Sequence, residues 1–115
     1  MKIQIIDDEI DFAETLAERL EIRDHQVTIA HSGTTGLTCI QKETPDVVLL
    51  DINMPDLTGI EVLEKLSVSH PTLPVLMLTG HAYSSHKEEA LEKGARECLT
   101  KPIELGDLLE KLSML

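Results

Sequence analysis

Apolar and polar residues alternate along this 115-residue chain with two different periods. Short runs of consecutive apolar residues predict β-strands, whereas apolar residues that recur every three or four positions predict amphipathic helices. The predicted strands cover residues 2–6, 26–30, 46–50, 75–79 and 96–100. The predicted helices cover residues 10–22, 32–43, 58–68, 85–94 and 104–115. Because a strand and a helix follow each other about every 20 to 25 residues, we expect a parallel sheet with helices on both faces.

The third predicted strand carries the strongest signal of the five. Its residues Val47 to Leu50 are all apolar, as expected for a central parallel strand that helices cover on both sides. The last predicted helix carries a leucine stripe that we expect to face the core. Its members are Leu105, Leu108, Leu109, Leu112 and Leu115. Domains commonly have about 100–150 residues, so we expect residues 1–115 to form one α/β domain.

Polar side chains stand where four of the predicted strands end. Asp7 and Asp8 follow the first strand, and Asp51 follows the third. Thr79 closes the fourth strand, and Lys101 follows the fifth. The carboxyl ends of parallel strands meet at one edge of a doubly wound sheet, and ligands bind in the crevice there. We therefore expect these side chains to converge, although they are spread over most of the chain.

The chemistry of this set favours a divalent cation and phosphoryl transfer. Three carboxylates at one crevice repel each other. Mg²⁺ would offset the repulsion through its positive charge, and it prefers oxygen ligands such as carboxylates. Lys101 adds a positive charge, and Thr79 adds a hydroxyl donor. A carboxylate nucleophile with a cation, a lysine and a hydroxyl is what phosphoryl transfer to an aspartate requires. Helix capping explains one aspartate easily, but it explains three together with Lys101 less well.

Four short motifs make the chain resemble the receiver domain of two-component response regulators. They are Asp7-Asp8, the segment Asp51-Ile52-Asn53-Met54-Pro55-Asp56 with Gly59, then Leu78-Thr79-Gly80, and Lys101-Pro102. Each motif alone is common, but in this order and at strand ends they are specific, and the resemblance covers residues 2–115. It implies a flavodoxin-like fold with five helices around one doubly wound, five-stranded parallel sheet. The implied strand order is 2-1-3-4-5, which the chemotaxis regulator shares with flavodoxin.

The resemblance also implies a reaction and a cofactor. Asp51 is implied to accept a phosphoryl group from a sensor histidine kinase or a phosphotransfer protein. Mg²⁺ is the implied cofactor, held by the side chains of Asp8 and Asp51 and by the backbone carbonyl of Asn53, with Asp7 binding directly or through water. The phosphoryl group is implied to switch the conformation of the domain. The switched domain is implied to signal to an output domain or partner through the face of helix 4, strand 5 and helix 5.

Further residues are implied to bind the phosphoryl group or to tune its lifetime. Thr79 is implied to hydrogen-bond one phosphoryl oxygen and to move when phosphate arrives, and Lys101 is implied to pair with another oxygen. Gly80 is implied to leave the group room, and the peptide bond between Lys101 and the following proline is implied to be cis. The side chains of Asn53 and His81 flank the implied site and are expected to affect how long the phosphate persists.

One position departs from the receiver pattern. Receivers usually carry an aromatic residue three positions before the lysine, and it changes rotamer together with the threonine. This chain has Cys98 at that position, which cannot act as an aromatic switch. We therefore expect the loop from Gly80 to Ser85, which contains Tyr83, to carry more of the conformational change.

Charge and composition limit the partners of the chain. It has 10 Lys and Arg against 21 Asp and Glu, a formal net charge of −11. This balance disfavours binding to nucleic acids and to anionic membranes, because both are negatively charged and bind basic surfaces. Two cysteines, Cys39 and Cys98, form no disulfide framework and fit the reducing cytoplasm. We expect a cytoplasmic domain without an output domain in residues 1–115, and no enzyme activity beyond its own phosphorylation and autodephosphorylation.

The same residues bear on three alternatives to a phosphorylatable receiver. A degenerate receiver would act only as a protein-interaction module, and Cys98 keeps this hypothesis open. A Mg²⁺-dependent phosphatase on a related fold needs a second aspartate two residues after the nucleophile, where this chain has Asn53. A dinucleotide-binding domain needs a glycine-rich loop after the first strand, where this chain has acidic residues.

Overall fold

A computed structural model describes residues 1–80 and 85–115 of the chain. The strands are β1 (Lys2–Ile6), β2 (Gln26–Ala30), β3 (Val47–Asp51), β4 (Val75–Thr79) and β5 (Glu97–Thr100). The helices are α1 (Ile10–Glu21), α2 (Gly33–Lys42), α3 (Gly59–Ser69), α4 (Ser85–Glu92) and α5 (Leu105–Ser113). All ten predicted elements are found, with boundaries within two residues of the prediction. None of the helices in this described part of the chain has the length and apolar content that crossing a bilayer requires.

The strands form one parallel five-stranded sheet in the order β2-β1-β3-β4-β5. Because β1 pairs with both β2 and β3, the direction of winding reverses beside β1, and a crevice opens there at the carboxyl edge. In the register of β3 with β4, Asp51 lies opposite Leu78. In the register of β4 with β5, Thr79 lies opposite Thr100. This architecture confirms the predicted doubly wound, flavodoxin-like fold.

Each face of the sheet packs against its own group of helices. α2, α3 and α4 cover one face and share a buried cluster with Val48 and Leu50 of β3. α1 and α5 cover the other face and share a second buried cluster with Val47 and Leu49. All five residues of β3 are buried, including Asp51 at its end. The central strand therefore carries this carboxylate from the core to the crevice.

The leucine stripe of α5 enters the core less completely than the sequence predicts. Leu108 and Leu112 are buried, and Leu105 and Leu109 are partly buried. Leu115 is 40% exposed, so the prediction that it faces the core is wrong. The helix ends at Ser113, and beyond that residue the chain no longer follows the helical period that would carry Leu115 inward.

Local sequence explains where two of the helices begin. The Ser32 side chain accepts a hydrogen bond from the backbone N–H of Thr35 at 3.2 Å, which caps α2 as the sequence predicts. At the start of α3, Thr58 and Glu61 form a reciprocal capping box. Both caps lie on the same edge of the sheet as Asp51, so they help to fix the loops around the crevice.

Candidate functional site

The carboxyl edge of the sheet gathers polar residues that the sequence places at the strand ends. Asp7 and Asp51 have 0% and 4% of their surface exposed, and Thr79 has 3%. Burial of a carboxylate is unfavourable unless a partner compensates its charge, so buried carboxylates at one edge mark a functional region rather than a stable core. The ends of β1, β3 and β4 thus supply three buried polar side chains to one crevice.

Asp7, Asp8 and Asp51 form an acidic cluster. One carboxylate oxygen from each residue lies within 4.8 Å of the other two. Asp7 and Asp51 are buried, whereas Asp8 is exposed, so the cluster opens to solvent at Asp8. Like charges at this spacing repel each other where water is excluded, and the cluster needs a positive charge if it is to stay ionised.

Lys101 supplies one positive charge to this cluster. Its Nζ lies 2.8 Å from Oδ2 of Asp7, 2.9 Å from Oε1 of Glu9 and 3.6 Å from Oδ1 of Asp51. The lysine side chain is 11% exposed, and its Nζ lies 4.5 Å from the ring centroid of Phe12. One ammonium group therefore faces three carboxylates and is held against an aromatic ring.

Burial dominates the acid–base behaviour of the site. It raises the pKa of Asp51 to about 7, with the charge of Asp7 adding to the rise and the charge of Lys101 opposing it. Burial also raises the pKa of Asp7, although Lys101 and the backbone N–H of Glu9 partly offset the effect. For Lys101, burial acts against the charged form, but the contacts to Asp7 and Glu9 outweigh it and raise the pKa. Without a bound cation, burial therefore favours the protonated form of Asp51 well above the pH at which an exposed aspartate ionises.

The oxygens of the acidic cluster suit a hard divalent cation. Oδ2 of Asp7 is buried, and its partner among the described residues is the ammonium of Lys101 at 2.8 Å. A carboxylate has more lone pairs than one ammonium occupies, so a metal ion can share the Asp7 carboxylate with the lysine. With the carboxylates of Asp8 and Asp51, this carboxylate offers the type of ligand that Mg²⁺ prefers.

The backbone around Asp51 packs closely against the start of α3. The N–H of Gly59 donates a hydrogen bond to the carbonyl oxygen of Ile52 at 2.7 Å. A Cβ atom on Gly59 would overlap the carbonyl oxygen of Asp51 and would lie 2.7 Å from Cα of Ile52. Only glycine fits at this first residue of α3, so the loop after β3 can lie directly against the helix.

Backbone hydrogen bonds join the ends of β3, β4 and β5. The N–H of Ile52 donates to the carbonyl oxygen of Leu78 at 3.0 Å, and the N–H of Lys101 donates to that of Thr79 at 2.7 Å. The peptide bond after Lys101 is cis, as the resemblance implies. The sheet is thus hydrogen-bonded as far as the crevice, and Asp51, Thr79 and Lys101 lie on a common rigid support.

Asp56 joins the loop after Asp51 to α2. Its carboxylate accepts hydrogen bonds from the N–H of Thr34 at 2.9 Å, from Oγ1 of Thr34 at 2.7 Å and from the N–H of Gly33 at 3.1 Å. These bonds, those from Thr34 above all, hold the pKa of Asp56 well below its usual range. They also satisfy N–H groups at the start of α2 that have no partner within the helix.

The structure describes some, but not all, of the residues predicted to bind the phosphoryl group or to tune its lifetime. Asn53 is exposed, and its backbone N–H lies 3.4 Å from Oδ1 of Asp51, while the metal-binding role of its carbonyl stays a prediction. Gly80 is exposed, and a Cβ atom there would meet no heavy atom of residues 1–80 and 85–115 within 4 Å, while its role of leaving room for the phosphoryl group stays a prediction. His81 lies outside the described residues, as does Tyr83 in the loop expected to carry the conformational change.

Cys98 is packed into the core at the position where receivers usually hold an aromatic residue. It is 8% exposed, lies opposite Met77 in the register of β4 with β5, and belongs to the cluster covered by α2, α3 and α4. Burial raises the pKa of its thiol, so the thiol is neutral and a poor nucleophile near neutral pH. A small core residue therefore occupies this position.

Sequence reasoning missed two contacts of Lys101. Glu9 received no predicted role, although it is the third acidic residue in the run after β1 and could have been considered with Asp7 and Asp8. Phe12 is the single phenylalanine of the chain and lies one helical turn after Glu9. Only the folded structure shows that both side chains reach the same ammonium.

The chain is similar to known proteins over almost its whole length. The family model of the response regulator receiver domain matches residues 3–113. The response regulator MprA of Mycobacterium avium is 35% identical over 115 residues, which are 100% of this chain and 50% of that protein. The transcriptional regulatory protein KdpE of Mycobacterium tuberculosis is 37% identical over 110 residues, which are 96% of this chain and 48% of that protein. The chain thus spans about half the length of the curated relatives it matches.

Solved structures share the same fold. A CheY-like response regulator receiver domain protein from Methanospirillum hungatei JF-1 superposes with a TM-score of 0.93 at 34% identity, covering 98% of this chain and 90% of that one. The receiver domain of the Francisella response regulator 1452 superposes with a TM-score of 0.91 at 28% identity, covering 98% of this chain and 93% of that one. Since fold and family model agree over the same residues, the chain belongs to the response regulator receiver domains of two-component signalling.

Proposed function

We propose that this receiver domain is phosphorylated on Asp51. The observation that carries the proposal is the position of this carboxylate at the end of the central strand. It lies within 4.8 Å of carboxylate oxygens of Asp7 and Asp8, and 3.6 Å from the ammonium of Lys101. A carboxylate in this setting is a nucleophile with positive charge beside it, as phosphoryl transfer requires. The proposed donor is a phosphohistidine on a sensor histidine kinase or on a phosphotransfer protein.

The residues of the chain have separate tasks in the proposed transfer. An oxygen of Asp51 forms a bond to phosphorus while the bond from phosphorus to the donor's imidazole nitrogen breaks, and the imidazole leaves with the bonding electron pair. Lys101 places its ammonium beside the oxygens of the transferring group and offsets their charge. Thr79 donates its hydroxyl to a phosphoryl oxygen and moves with that oxygen when the group is in place. Gly80 leaves space for the group.

Mg²⁺ is the proposed cofactor. Asp8 and Asp51 would hold it through their side chains and Asn53 through its backbone carbonyl, with Asp7 binding directly or through water. When bound, the ion supplies charge that offsets the repulsion among the carboxylates and stabilises the transferring group. The three carboxylates whose oxygens lie within 4.8 Å of one another, two of them buried, support a cation at this place.

Intact-mass spectrometry tests the proposed acceptor. With Mg²⁺ and a small phosphodonor such as acetyl phosphate, we expect the protein to gain one phosphoryl mass and to lose this ability when the metal is chelated. Asp51→Asn should abolish the gain, whereas Asp107→Asn, which changes an exposed carboxylate in the first turn of α5, should retain it. If the unaltered protein gained no mass with any donor, the degenerate receiver that acts only as an interaction module would be favoured.

The proposal extends to how the signal leaves the domain. The face of α4, β5 and α5 is the proposed contact for an output domain or partner, and β5 is an edge strand of the sheet. Relatives named as response regulators and transcriptional regulatory proteins are about twice as long, so the proposed output lies in a partner protein or a separate module. The proposed location is the cytoplasm, without nucleic acid or membrane as a partner of this acidic domain. Its proposed chemistry is limited to its own phosphorylation and dephosphorylation.

A further inference from the structure

The ammonium of Lys101 lies at unequal distances from its three carboxylate neighbours. Its Nζ donates a hydrogen bond to Oε1 of Glu9 at 2.9 Å and forms the ion pair with Oδ2 of Asp7 at 2.8 Å. The distance from Nζ to Oδ1 of Asp51 is 3.6 Å, which is too long for a hydrogen bond. The ammonium therefore lies closer to Glu9 than to Asp51, the proposed acceptor, although Glu9 is not part of the acidic cluster.

We propose that Glu9 is a positioning residue that holds Lys101 in the resting state and competes with an incoming phosphoryl group for its ammonium. The inference rests on the proposed phosphorylation of Asp51. The side chain of Glu9 is 62% exposed, whereas that of Lys101 is 11% exposed. Glu9 thus reaches the ammonium from the solvent side and can turn away without leaving its own charge buried.

The strength of the Glu9 contact suits such an exchange. An ion pair with an exposed partner is weak, because water and salt compete for the carboxylate. A phosphoryl group carries more negative charge and three acceptor oxygens, so it makes stronger hydrogen bonds with an ammonium group. Lys101 therefore stays with Glu9 while Asp51 is unmodified and turns to the phosphoryl group when it arrives.

Phe12 limits the positions that the ammonium can occupy. Its ring centroid lies 4.5 Å from Nζ of Lys101, and the face of an aromatic ring attracts a cation. Glu9 is the N-cap residue of α1, and Phe12 belongs to the first turn of the same helix. The start of α1 thus supplies two contacts to the ammonium, and together they limit its resting position.

Binding of beryllofluoride, a mimic of the phosphoryl group, in the presence of Mg²⁺ tests the competition. Glu9→Gln removes the charge and keeps the side-chain length, so it should tighten beryllofluoride binding by about two- to fivefold, the range for a surface ion pair. Asp11→Asn is the matched control, because it removes the same charge two residues along α1 and Asp11 forms no ion pair with Lys101 in the described chain. An equal change in both variants would overturn the proposal, since it would be a general charge effect.

Two further measurements separate this inference from the proposed function. In a Lys101→Met background, Glu9→Gln should change beryllofluoride binding no more than Asp11→Asn does. In NMR spectra of the unliganded protein, Glu9→Gln but not Asp11→Asn should alter the shift that the ring of Phe12 imposes on the ε-methylene protons of Lys101. If Glu9→Gln left the Lys101 proton shifts unaltered while the unaltered protein still bound the mimic, the role of Glu9 would be overturned and the proposed function would stand. Absence of mimic binding by the unaltered protein would overturn the proposed function and this inference with it.

Discussion

Gly59 lies so close to the backbone of Asp51 that a methyl group on Gly59 would overlap the carbonyl oxygen of Asp51. The same glycine donates its N–H to the carbonyl oxygen of Ile52 at 2.7 Å. The loop that follows the central strand is thus pressed against the first turn of α3. Gly59 has no functional group, yet it determines where the acidic side chain of Asp51 leaves the backbone.

We expect Gly59→Ala to destabilise the domain. The added methyl group meets backbone atoms, so α3 or the loop after β3 must shift, at a cost of about 1–3 kcal/mol. Chemical denaturation measures this loss. Gly106→Ala is the matched control, because a Cβ atom there meets only the end of the flexible Glu104 side chain, at 3.0 Å. Equal stability of the two variants would contradict the packing argument.

We expect Asp56→Ala to loosen the start of α2, because it removes the acceptor for the N–H groups of Gly33 and Thr34. Amide hydrogen exchange at these two residues should become several-fold faster near neutral pH, whereas Asp107→Ala in the first turn of α5 should leave it unchanged.

The effect of Asp56 should also depend on pH. Its pKa is lowered in the folded protein, so its carboxylate stabilises the fold above the pKa of an unfolded aspartate, about 3.9. That contribution is lost as the pH falls from there through the lower folded-state pKa. The exchange rates of unaltered protein and Asp56→Ala should therefore converge in acid. A difference that persisted at every pH would argue against a role for the ionised carboxylate.

We expect the metal-free domain to lose stability as the pH rises from about 4 to about 7. The pKa of Asp51 is about 7 in the folded protein, against about 3.9 for an unfolded aspartate, so over this interval the folded state binds the proton more tightly. Raising the pH therefore favours the unfolded chain, by about 2–4 kcal/mol in total at about 1.4 kcal/mol per pKa unit.

Urea denaturation with a chelator present, repeated across this pH range, measures the effect of Asp51. Asp51→Asn removes the titrating group, so the variant should be the more stable protein above about pH 7 and should lose that advantage near pH 4. A constant difference between Asp51→Asn and the unaltered protein across this range would contradict the burial of an ionisable acceptor.

We expect Mg²⁺ to stabilise the fold. A ligand that binds only the folded state adds about 2.7 kcal/mol at about a hundred times its dissociation constant. Part of this gain is relief of repulsion among Asp7, Asp8 and Asp51. Thermal unfolding at constant ionic strength measures it, with Asp8→Asn expected to reduce the Mg²⁺-induced rise in Tm and Asp11→Asn expected to retain it. A Tm indifferent to millimolar Mg²⁺ would count against the metal site.

The parts of the fold that could be predicted are those whose signals are local. Val47 to Leu50 are apolar at every position, and such a run between two helical stretches has few interpretations other than a central parallel strand. The end of α5 was harder to predict, because Leu115 continues the leucine stripe although the helix ends at Ser113. The last turn of a helix depends on hydrogen bonds and solvent, which the apolar pattern does not record.

The site residues also differ in how well the sequence predicts their contacts. Asp7, Asp51 and Lys101 could be grouped in advance, because the geometry of a parallel sheet brings the ends of its strands to one edge. The contact between Glu9 and Lys101 joins residues 92 positions apart and depends on side-chain rotamers. No periodicity or motif encodes that contact, because it arises only where the fold brings α1 next to the loop after β5.

The ion pair between Asp7 and Lys101 has a consequence for synthesis of the protein. It joins the end of the first strand to the residue after the last one, and Lys101 is placed by the hydrogen bond of its N–H to Thr79. A nascent chain displays Asp51 long before β5 has left the ribosome, but it then lacks the ammonium that faces this carboxylate. The ammonium therefore reaches Asp51 only in a molecule whose last strand has joined the sheet.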